Sequence, residues 1–401
     1  MANNITNCRA CGSENLIEFL DLGKQYLSDF RADDSKPPKY PLVAVFCEGC
    51  KLVQLKHTTP QAEMYHQNYG FKSGINEAIK ADLDDITVHA FQYVNDPTRW
   101  LDIASNDGTL LSYVPTDVYR VGVDPVEFLC KQAKEHANLI INDYFPTPYL
   151  EYVGWPPQPF DVITSISCFY DMPQPEIFVD SVERLLSERG VWVIQQNYLL
   201  HTLELKAVDN FCAEHLAYYT LLSLENLLNR FDLEVNEVKL SMVNGGSIRT
   251  IVSHKGTFEI DESVELQREV ERIHRLDSIA PYRDFADGIA DNLNQLYRLV
   301  SGLKDEGKTV AILAASTRGA TIWQSANLEG LIDYAVERNP AKVGKMFSAI
   351  GVPIISEEEF KKNPADFSII GPWFFADSFI DRYADYNTKL IVPLPEVRII
   401  E

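Results

Sequence analysis

The sequence predicts an α/β protein with doubly wound parallel sheets and a small cysteine-rich segment in front. From Trp100 to about Ser253, short apolar runs alternate with helical stretches. A second series of apolar runs follows residue 305, and two C-x-x-C pairs lie within the first 50 residues. Strands separated by helices are typical of βαβ units, which place parallel strands in one sheet. We therefore expect two α/β units behind a cysteine-rich unit.

The length of the chain, 401 residues, exceeds what one ordinary core accommodates, so several domains are expected. We place a cysteine-rich domain in residues 1–60 and the first α/β domain in residues 61–260. Residues 261–401 are predicted to form a helical linker, polar up to about residue 305, and a second α/β domain.

Five apolar runs are predicted to form the strands of the first α/β domain: RWLDIA, YRVGVD, NLIIND, FDVITSI and GVWVIQQ. The amphipathic stretch DSVERLLSERG precedes the last run, and Gly190 is expected to end that helix as a C-cap. LEVNEVKLS and SIRTIVSH are predicted to be two closing strands, joined by a turn at Asn244-Gly245-Gly246. In the second unit, TVAILAA, DYAVER, FSIIGPW and KLIVPLP are the predicted strands.

The formal net charge of −22 argues against nucleic acid as a partner, because non-specific affinity for nucleic acids comes from Lys and Arg. The chain lacks an apolar stretch of about 18 residues, so no membrane span is expected. The N-terminus lacks the basic and apolar regions of a signal peptide, which predicts a cytoplasmic protein. We expect a monomer, because no exposed apolar helix face is evident in the sequence.

Four of the seven cysteines form the two C-x-x-C pairs, namely Cys8, Cys11, Cys47 and Cys50. The two-residue spacer lets both thiolates of a pair face one tetrahedral ion, and two pairs complete its coordination. Reduced core cysteines or a redox pair are the alternatives. The spacing favours a structural zinc site with no position open to water.

The segment from Leu101 to Leu111 is typical of a strand, a tight turn and a helix start, which place backbone N–H groups beside a ligand. Asp124 ends the next apolar run, where a carboxylate can accept hydrogen bonds from both hydroxyls of a ribose. Asn142 and Asp143 end the third run and are expected to face an adenine edge. The predicted cofactor-binding residues are Asp102, Ala104, Ser105, Asn106, Asp107, Gly108, Asp124, Pro125, Asn142 and Asp143.

These features fit a nicotinamide enzyme as well as a methyltransferase, and the loop favours the second. Only Gly108 is present where a pyrophosphate fingerprint has three glycines. Asp102 and Asp107 also suit a cationic cofactor, such as the sulfonium of S-adenosylmethionine, better than a dianionic one. The alternative is that Asp102 and Asp124 merely cap strand ends.

Several motifs together resemble a three-domain family of zinc-containing, S-adenosylmethionine-dependent C-methyltransferases that act on nucleotide-linked ketosugars. After the two cysteine pairs, the motifs are YGFKSGIN at 69–76, SNDG at 105–108, FYD at 169–171, CAEHLAYY at 212–219, NGGSIR at 244–249, ASTRG at 315–319, RNP at 338–340 and a closing PLP. The resemblance covers almost the whole chain. It implies a zinc-binding domain, a class I (Rossmann-like) methyltransferase domain and a C-terminal Rossmann-like domain that helps to hold the nucleotide-sugar.

The family's Glu-His pair maps onto Glu214 and His215, and the resemblance implies that His215 removes a proton beside the sugar ketone. A neutral imidazole with a pKa near 6.5 suits that task, and Glu214 would orient or polarise it. Tyr170 and Tyr69 are candidates for contacting the sugar or its oxyanion. The substrate-binding candidates are Phe71, Lys72, Ser73, Asn76, Tyr218, Asn244, Arg249, Ser316 and Arg318. Arg249 could equally tie down a strand.

Some positions depart from the family pattern. Ala213 replaces a His of the family's Cys-His-Glu-His, and Phe374 replaces a His in its Trp-His-Phe. Ala314 replaces a Gly, and Arg318 a Lys. Loss of polar side chains at 213 and 374 leaves an O- or N-methyltransferase of another small molecule as an alternative. A nicotinamide oxidoreductase and a non-catalytic zinc adaptor are more remote alternatives.

Overall fold

The structure of the chain, a computed structural model, describes residues 3–65, 71–152 and 158–400. The cysteine-rich part contains the strands β1 (Asn3–Asn4), β2 (Leu16–Tyr26), β3 (Phe30–Arg31), β4 (Lys39–Cys47), β5 (Val53–Leu55) and β6 (His57–Thr58). Strands β2, β4 and β5 pair in antiparallel order, and β1 pairs with β6. The cysteine pairs lie at one end of this sheet, with Cys47 as the last residue of β4.

The central part alternates strands with helices, as the sequence predicts. Its helices are α1 (Glu77–Tyr93), α2 (Thr109–Tyr113), α3 (Glu127–Ala133), α4 (Pro175–Leu185), α5 (Leu199–Glu204) and α6 (Leu221–Leu228). Its strands are β7 (Arg99–Ile103), β8 (Tyr119–Val123), β9 (Leu139–Ile141), β10 (Phe160–Ile166), β11 (Leu186–Asn197), β12 (Ala217–Tyr218), β13 (Leu233–Ser241) and β14 (Ser247–His254). All five predicted parallel strands and both closing strands are confirmed.

Seven strands form the central sheet in the order β13-β14-β11-β10-β7-β8-β9. Strands β7 to β11 are parallel, whereas β14 lies antiparallel between β11 and β13. The strand order reverses at β7, with β8 on one side and β10 on the other. Ligands of such sheets bind beyond the carboxyl ends of the strands at this reversal point.

The predicted C-cap at Gly190 is wrong. Helix α4 ends at Leu185, and Gly190 lies inside β11. A Cβ atom at Gly190 would lie 3.0 Å from the carbonyl oxygen of Asp161 and 2.9 Å from a methyl carbon of Leu186. The glycine is therefore explained by a close approach of neighbouring chain, not by a helix end.

The C-terminal part begins with the two helices α7 (Glu262–Ile273) and α8 (Ala280–Asp305), within the stretch that the sequence predicts to be helical. A second α/β unit follows, with β15 (Val310–Leu313), α9 (Gly319–Ser325), β16 (Tyr334–Glu337), β17 (Met346–Phe347), β18 (Val352–Ser356), α10 (Glu357–Lys362), β19 (Phe367–Ile370), α11 (Ala376–Tyr383), β20 (Lys389–Val392) and β21 (Arg398–Ile400). Its sheet has the order β21-β20-β19-β15-β16-β18-β17-β3. Short 3-10 helices lie at Gln61–Glu63, Ser73–Ile75, Pro148–Tyr152, Phe169–Asp171, Val208–Asn210, Asn229–Phe231, Val243–Gly245 and Trp373–Phe375.

Two short strands cross between the parts of the chain. Strand β3, from the cysteine-rich part, pairs with β17 of the C-terminal sheet, and Phe30 stacks on Phe347. Strand β12, from the central part, pairs with β5, so that Tyr218 lies opposite Val53. The three parts therefore share sheets, and the predicted boundaries at 60 and 260 separate them only along the chain.

The surface and the helices bear on two further expectations. Among the described residues, no helix has both the length and the apolar character needed to cross a membrane. Helix α7 exposes Leu266 and Ile273, seven residues apart and each 63% exposed. The lack of an exposed apolar helix face is the reason for expecting a monomer, and α7 presents two such residues. The monomer stays a prediction.

A buried cation holds α1 against the central sheet. The guanidinium of Arg249, on β14, is 1% exposed and donates to Asp82 (3.1 Å), to Asp85 (2.7 Å) and to the side-chain oxygen of Gln195 (2.7 Å). Asp82 and Asp85 belong to α1, and Gln195 to β11. Removal of one partner from a buried ion pair costs more than the pair contributes, because the other charge stays buried.

We expect the substitution Arg249→Met to lower the free energy of unfolding by about 3 kcal/mol, since it leaves Asp82 buried without its cation. Lys239→Met is the matched control, because Lys239 is 46% exposed and contacts the same Asp85. An exposed pair contributes about 0–1 kcal/mol. Denaturant unfolding of the two variants measures the difference, and equal losses would contradict the assigned role of Arg249.

Candidate active site and metal centre

The four thiol groups of the C-x-x-C pairs converge on one point. Their Sγ atoms all lie within 4.8 Å of one another, with 3.5 Å between Cys8 and Cys50 and 3.6 Å between Cys11 and Cys47. A tetrahedral zinc ion with Zn–S bonds of about 2.3 Å requires sulfur atoms about 3.8 Å apart. The four cysteines therefore fit zinc, and they leave no position for water.

Two similar turns present these cysteines. Gly12 has φ +71° and donates its N–H to the carbonyl of Cys8, while Lys51 has φ +67° and donates to the carbonyl of Cys47. The side chain of Gln54, on β5, donates to Cys8 Sγ over 3.1 Å. The sulfur cluster is thus tied directly to the sheet behind it.

Two adjoining cavities of about 50 and 100 Å³ lie beyond the carboxyl ends of β7, β8 and β10. We call them together the strand-end pocket. They share Phe71, Ser73, Ala104, Asn106, Ile166 and Ser167 as lining residues. The pocket lies where the strand order reverses, which is the position predicted for the cofactor.

The strand-end pocket is acidic. Five carboxyl groups line it, those of Asp82, Asp102, Asp124, Asp143 and Asp171, and no Lys, Arg or His among the described residues does so. A dinucleotide would bring two negative phosphates to this lining at a large electrostatic cost. The donor set therefore fits a cationic cofactor and does not fit a pyrophosphate.

Hydrogen bonds hold the acidic groups in place. Asp124 accepts from the backbone N–H groups of Asn106 (3.0 Å) and Val126 (2.8 Å), and Asp102 accepts from the hydroxyl of Thr164 (2.7 Å). Burial raises the pKa of Asp102 to about 7 and that of Asp124 to about 6. Both carboxyl groups therefore titrate near neutral pH, where a bound cation would favour their charged forms.

The other predicted cofactor residues mostly shape the loop. Asn106 and Asp107 accept hydrogen bonds from the backbone N–H groups of Ser73 and Gly74, each over 3.0 Å, which fastens residues 73–74 to the loop. Gly108 has φ +80°, and a Cβ there would lie 2.8 Å from Cα of Ala133. Its role is close packing on α3, and neither Asp107 nor Gly108 lines the pocket.

The neighbouring predicted residues divide in the same way. Pro125 and Asp143 line the pocket, as does Ser105. Asn142 does not line it and donates instead to the carbonyl of Asp124 over 3.0 Å. Asp143 accepts from the backbone N–H of Tyr144 and from the hydroxyl of Thr147, each over 2.8 Å.

A larger cavity of about 370 Å³ adjoins the strand-end pocket. Its lining comes from all three parts of the chain: residues 27–31 and 37–38, residues 63–65, the central strands' ends, and Thr317 and Arg318 of the C-terminal unit. The large cavity and the strand-end pocket share Tyr65, Phe71, Ser167, Asp171 and Asn244. A molecule in one can therefore contact a molecule in the other.

His215 lines the large cavity and is 9% exposed. Its Nδ1 lies 2.8 Å from the carbonyl oxygen of Asn210, which can only accept, so Nδ1 carries the proton and Nε2 the lone pair. Burial, and then the nearby Arg318, lower the pKa of His215 to about 3. The imidazole is therefore neutral at cellular pH, but by a larger margin than the ordinary pKa of 6.5 predicts.

Several predicted neighbours of His215 are in place. The ring of Tyr170 lies 4.3 Å from that of His215, and burial raises the pKa of Glu214, which lines the same cavity. Arg318 lies 2.8 Å from Asp209 and donates to the carbonyl of Asn244. Its guanidinium is thus held at the cavity wall by a buried carboxylate.

Other predicted substrate residues are not brought to the large cavity. Arg249 is engaged with three side chains on α1 and β11, Asn76 caps α1 by accepting from the N–H of Ala78, and Ser316 accepts from the N–H of Gly319. Lys72 and Tyr218 are likewise absent from its lining. Tyr69 lies outside the described residues.

The two positions where the family pattern loses a histidine, 213 and 374, also lie off the large cavity. Ala213 lines a small cavity of about 20 Å³ behind Glu214. The ring of Phe374 faces Gly245 and lies 5.2 Å below the guanidinium of Arg318. Neither position contributes to the lining of the large cavity.

Sequence reasoning missed several lining residues. They include Ser28, Asp29, Arg31, Tyr65, Asp82, Ser167, Asp171, Gln195, Asn197 and Thr317. Ser167 and Asp171 follow the predicted strand FDVITSI. Because ligands of such sheets bind beyond the carboxyl ends of the strands, this position is a sequence signal for both residues. The others come from segments that only the tertiary pairing brings together.

We expect the purified protein to carry about one zinc ion per chain, and Cys50→Ser to lose most of it, because three thiolates leave the tetrahedral site open. Cys130→Ser is the control, since Cys130 is buried in α3 outside the cluster. Elemental analysis after removal of weakly bound metal measures both. Zinc-free wild-type protein, produced with ample zinc, would contradict the site.

Three family models match the chain in succession. Residues 8–65 match one described as "Putative zinc binding domain", residues 75–238 match "Methyltransferase domain", and residues 242–395 match "C-methyltransferase C-terminal domain". The relative "C-methyltransferase NovU" from Streptomyces niveus is 26% identical over 416 residues, which cover 99% of this chain and 97% of that protein. The large cavity is thus lined by residues from all three matched regions.

Two solved structures resemble the chain over less than half of its length. The PH0226 protein from Pyrococcus horikoshii OT3 is 15% identical with a TM-score of 0.36, covering 46% of this chain and 95% of that chain. An S-adenosylmethionine-dependent methyltransferase from Clostridium acetobutylicum ATCC 824 is 14% identical with a TM-score of 0.35, covering 44% of this chain and 92% of that chain.

The matches confirm the predicted methyltransferase, with zinc and S-adenosylmethionine as its cofactors, and not the alternatives of a nicotinamide oxidoreductase or a zinc adaptor. The acidic strand-end pocket agrees with this result. The chain belongs to the S-adenosylmethionine-dependent C-methyltransferases that carry an N-terminal zinc-binding domain.

Proposed function

We propose that this enzyme methylates a carbon atom of a nucleotide-linked ketosugar, with His215 as the base. The observation that carries the proposal is that His215, with Nδ1 held by the carbonyl of Asn210, lines a large cavity that adjoins an acidic cofactor pocket. A carbon beside a ketone has no lone pair, so it becomes a nucleophile only after a base removes its proton. An oxygen or nitrogen acceptor would not need that base.

On the cofactor side, the strand-end pocket would hold S-adenosylmethionine. When bound, this cofactor supplies a methyl group that is electrophilic because the sulfur is positively charged. Asp124 would accept hydrogen bonds from the ribose hydroxyls, and Pro125 and Asp143 would lie beside the adenine ring. Asp102 lines the smaller of the two cavities and would face the cationic end of S-adenosylmethionine. The residues shared with the large cavity would exclude water from the path between the two.

On the acceptor side, the fixed tautomer of His215 supports the assignment. The carbonyl of Asn210 holds the Nδ1 proton, so the lone pair of Nε2 is available at any pH above about 3. Once Nε2 takes a proton, the imidazolium requires a counter-charge. Glu214, whose carboxyl group lines the same cavity, would supply it and so raise the proton affinity of His215 during the reaction.

The large cavity is suited to an acceptor of moderate size. Its volume of about 370 Å³ lies within the range of small-molecule sites, about 300–1,000 Å³. Polar groups from all three parts of the chain line it, among them Asp29, Asn197, Asn244 and Thr317, and these can meet sugar hydroxyls. Positions 213 and 374 do not line it, so the two departures give no support to an oxygen or nitrogen acceptor.

We expect His215→Ala to lower turnover of the cognate nucleotide-linked ketosugar by about a thousandfold, because general-base catalysis contributes about 10²–10⁴. Labelled S-adenosylmethionine and a panel of nucleotide-linked ketosugars, followed by mass and by the carbon that gains the label, measure this. His274→Asn is the control, since His274 is an exposed residue paired with Glu204. Near-normal turnover by the His215 variant, or label on oxygen or nitrogen, would refute the proposal.

Affinity for S-adenosylmethionine is expected to fall on the order of tenfold from pH 8 to pH 6. The sign follows from the raised pKa values, about 7 for Asp102 and about 6 for Asp124, since each carboxyl group loses its charge as the pH falls through its pKa. Isothermal titration calorimetry at several pH values measures this change. Asp124→Asn should weaken binding at pH 8, and the exposed Asp117→Asn should not. A pH-independent affinity would contradict the roles of both carboxylates.

A further inference from the structure

We propose that Asp171 is a further catalytic residue, whose carboxylic acid donates a hydrogen bond from Oδ1 to the ketone oxygen of the acceptor as that oxygen becomes an enolate. Because it needs a ketone, this role rests on the proposed function. None of the sequence-predicted roles includes Asp171.

The position of Asp171 is the first support. It ends the short helix Phe169–Asp171 that follows β10, and its side chain lines both the large cavity and the strand-end pocket. Among the described residues, Tyr65, Phe71, Ser167 and Asn244 share that position. A carbon that receives the methyl group must lie at this junction, so an oxygen on the neighbouring carbon lies there as well.

The hydrogen bonds of Asp171 are the second support. The residue is 8% exposed, and the hydroxyl of Tyr65 donates to its Oδ2 over 2.8 Å. Its Oδ1 is buried and has no hydrogen-bond partner among the described residues. A buried polar atom without a partner costs free energy, so such an atom beside a cavity points to a group of the ligand.

The surroundings of Asp171 favour the protonated form of its carboxyl group, although the hydrogen bond from Tyr65 acts in the opposite direction. The titratable groups whose charges act on it or respond to it are Tyr65, Cys168, Cys212, Glu214 and Tyr218. The two arginines of the large cavity are engaged elsewhere, Arg31 with Asp29 and Arg318 with Asp209. Burial, and then the charge of Glu214, raise the pKa of Asp171 well above its ordinary value.

The donor geometry follows from these contacts. Because Tyr65 donates to Oδ2, that oxygen is the carbonyl oxygen of the acid, and the proton resides on Oδ1. Nε2 of His215 takes the proton from the acceptor carbon, and the C–H electron pair becomes the new C=C bond. The ketone π electrons move to the oxygen, which accepts the hydrogen bond from Oδ1–H. When the carbon forms its bond to the methyl group, the C–S pair remains on sulfur and the C=O bond reforms.

The test compares two substitutions of similar size. Asp171→Asn keeps a donor to the cavity and an acceptor for Tyr65, whereas Asp171→Leu keeps neither. We expect Asp171→Asn to retain turnover within about tenfold of wild type, and Asp171→Leu to lose about 10²–10³, as for the loss of one oxyanion donor. Turnover by Asp171→Asn as low as by Asp171→Leu would show a carboxylate at work, as a base or as an acceptor for a sugar hydroxyl, and would overturn the proposal. Wild-type turnover in both variants would also overturn it.

A second readout separates this role from folding and from cofactor binding. With S-adenosylhomocysteine bound, wild-type enzyme in D₂O should exchange the acceptor proton beside the ketone without methyl transfer. Asp171→Asn should keep this exchange, and Asp171→Leu should lose it while binding S-adenosylhomocysteine with a similar Kd. If Asp171→Leu does not fold, Tyr65→Phe replaces it and should slow exchange about tenfold by freeing Oδ2; exchange at the wild-type rate in that variant would count against the proposal.

The same experiment distinguishes the two levels of failure. Wild-type enzyme that neither methylates nor exchanges any ketosugar of the panel would remove the proposed function, and the role of Asp171 with it. Wild-type enzyme that does both, beside an inactive Asp171→Asn, would remove the role of Asp171 alone.

Discussion

The pairing of β12 with β5 is the contact on which the active site depends. Leu216 lies between His215 and the two-residue strand β12, and it donates its N–H to the carbonyl of Tyr170 and accepts from the N–H of Leu55. In this pairing Ala217 lies opposite Gln54, whose side chain donates to Cys8 Sγ. Gln54 therefore links the sulfur cluster to Ala217, two positions after the proposed base. A structural metal at Cys8 and its partners would stiffen that strand and so fix the segment that carries His215.

The other crossing strand completes the large cavity. Because β3 pairs with β17, residues 27–31 are held between the cysteine-rich and C-terminal parts and form one wall of the cavity. Lys342 lies over the ring of Phe30 at 4.3 Å and donates to the carbonyl of Ala315, close to Thr317 and Arg318. The large cavity thus takes its walls from all three parts of the chain. This explains why the cysteine-rich part lies beside a transferase domain and does not act as a separate adaptor.

Local patterns in the sequence were sufficient for the fold and for the metal site, but not for the whole active site. Apolar periodicity predicts the parallel strands, and the C-x-x-C spacing predicts the cysteine cluster, because both patterns depend on neighbours within a few residues. Arg249 belongs to a motif, yet its partners lie more than 50 positions away, on α1 and β11. The sequence predicts a helix end at Gly190 because glycine is common there, whereas the close approach of the Asp161 carbonyl explains why this position has no side chain. Strand β3 has two residues, which are too few to show the alternation of apolar and polar residues that predicts a strand.

The electrostatics of the two cavities explain how a site rich in buried acids can be stable and still react. Asp102, Asp124 and Asp171 are each buried, and burial raises the pKa of all three. In the free protein, protonation relieves the cost of burying unpaired charge. A sulfonium cation favours ionisation of the carboxyl groups nearest to it, whereas the charge of Glu214 opposes ionisation of Asp171. One set of carboxyl groups can therefore serve two purposes: anions where the cofactor is bound, and an acid where negative charge develops on the acceptor.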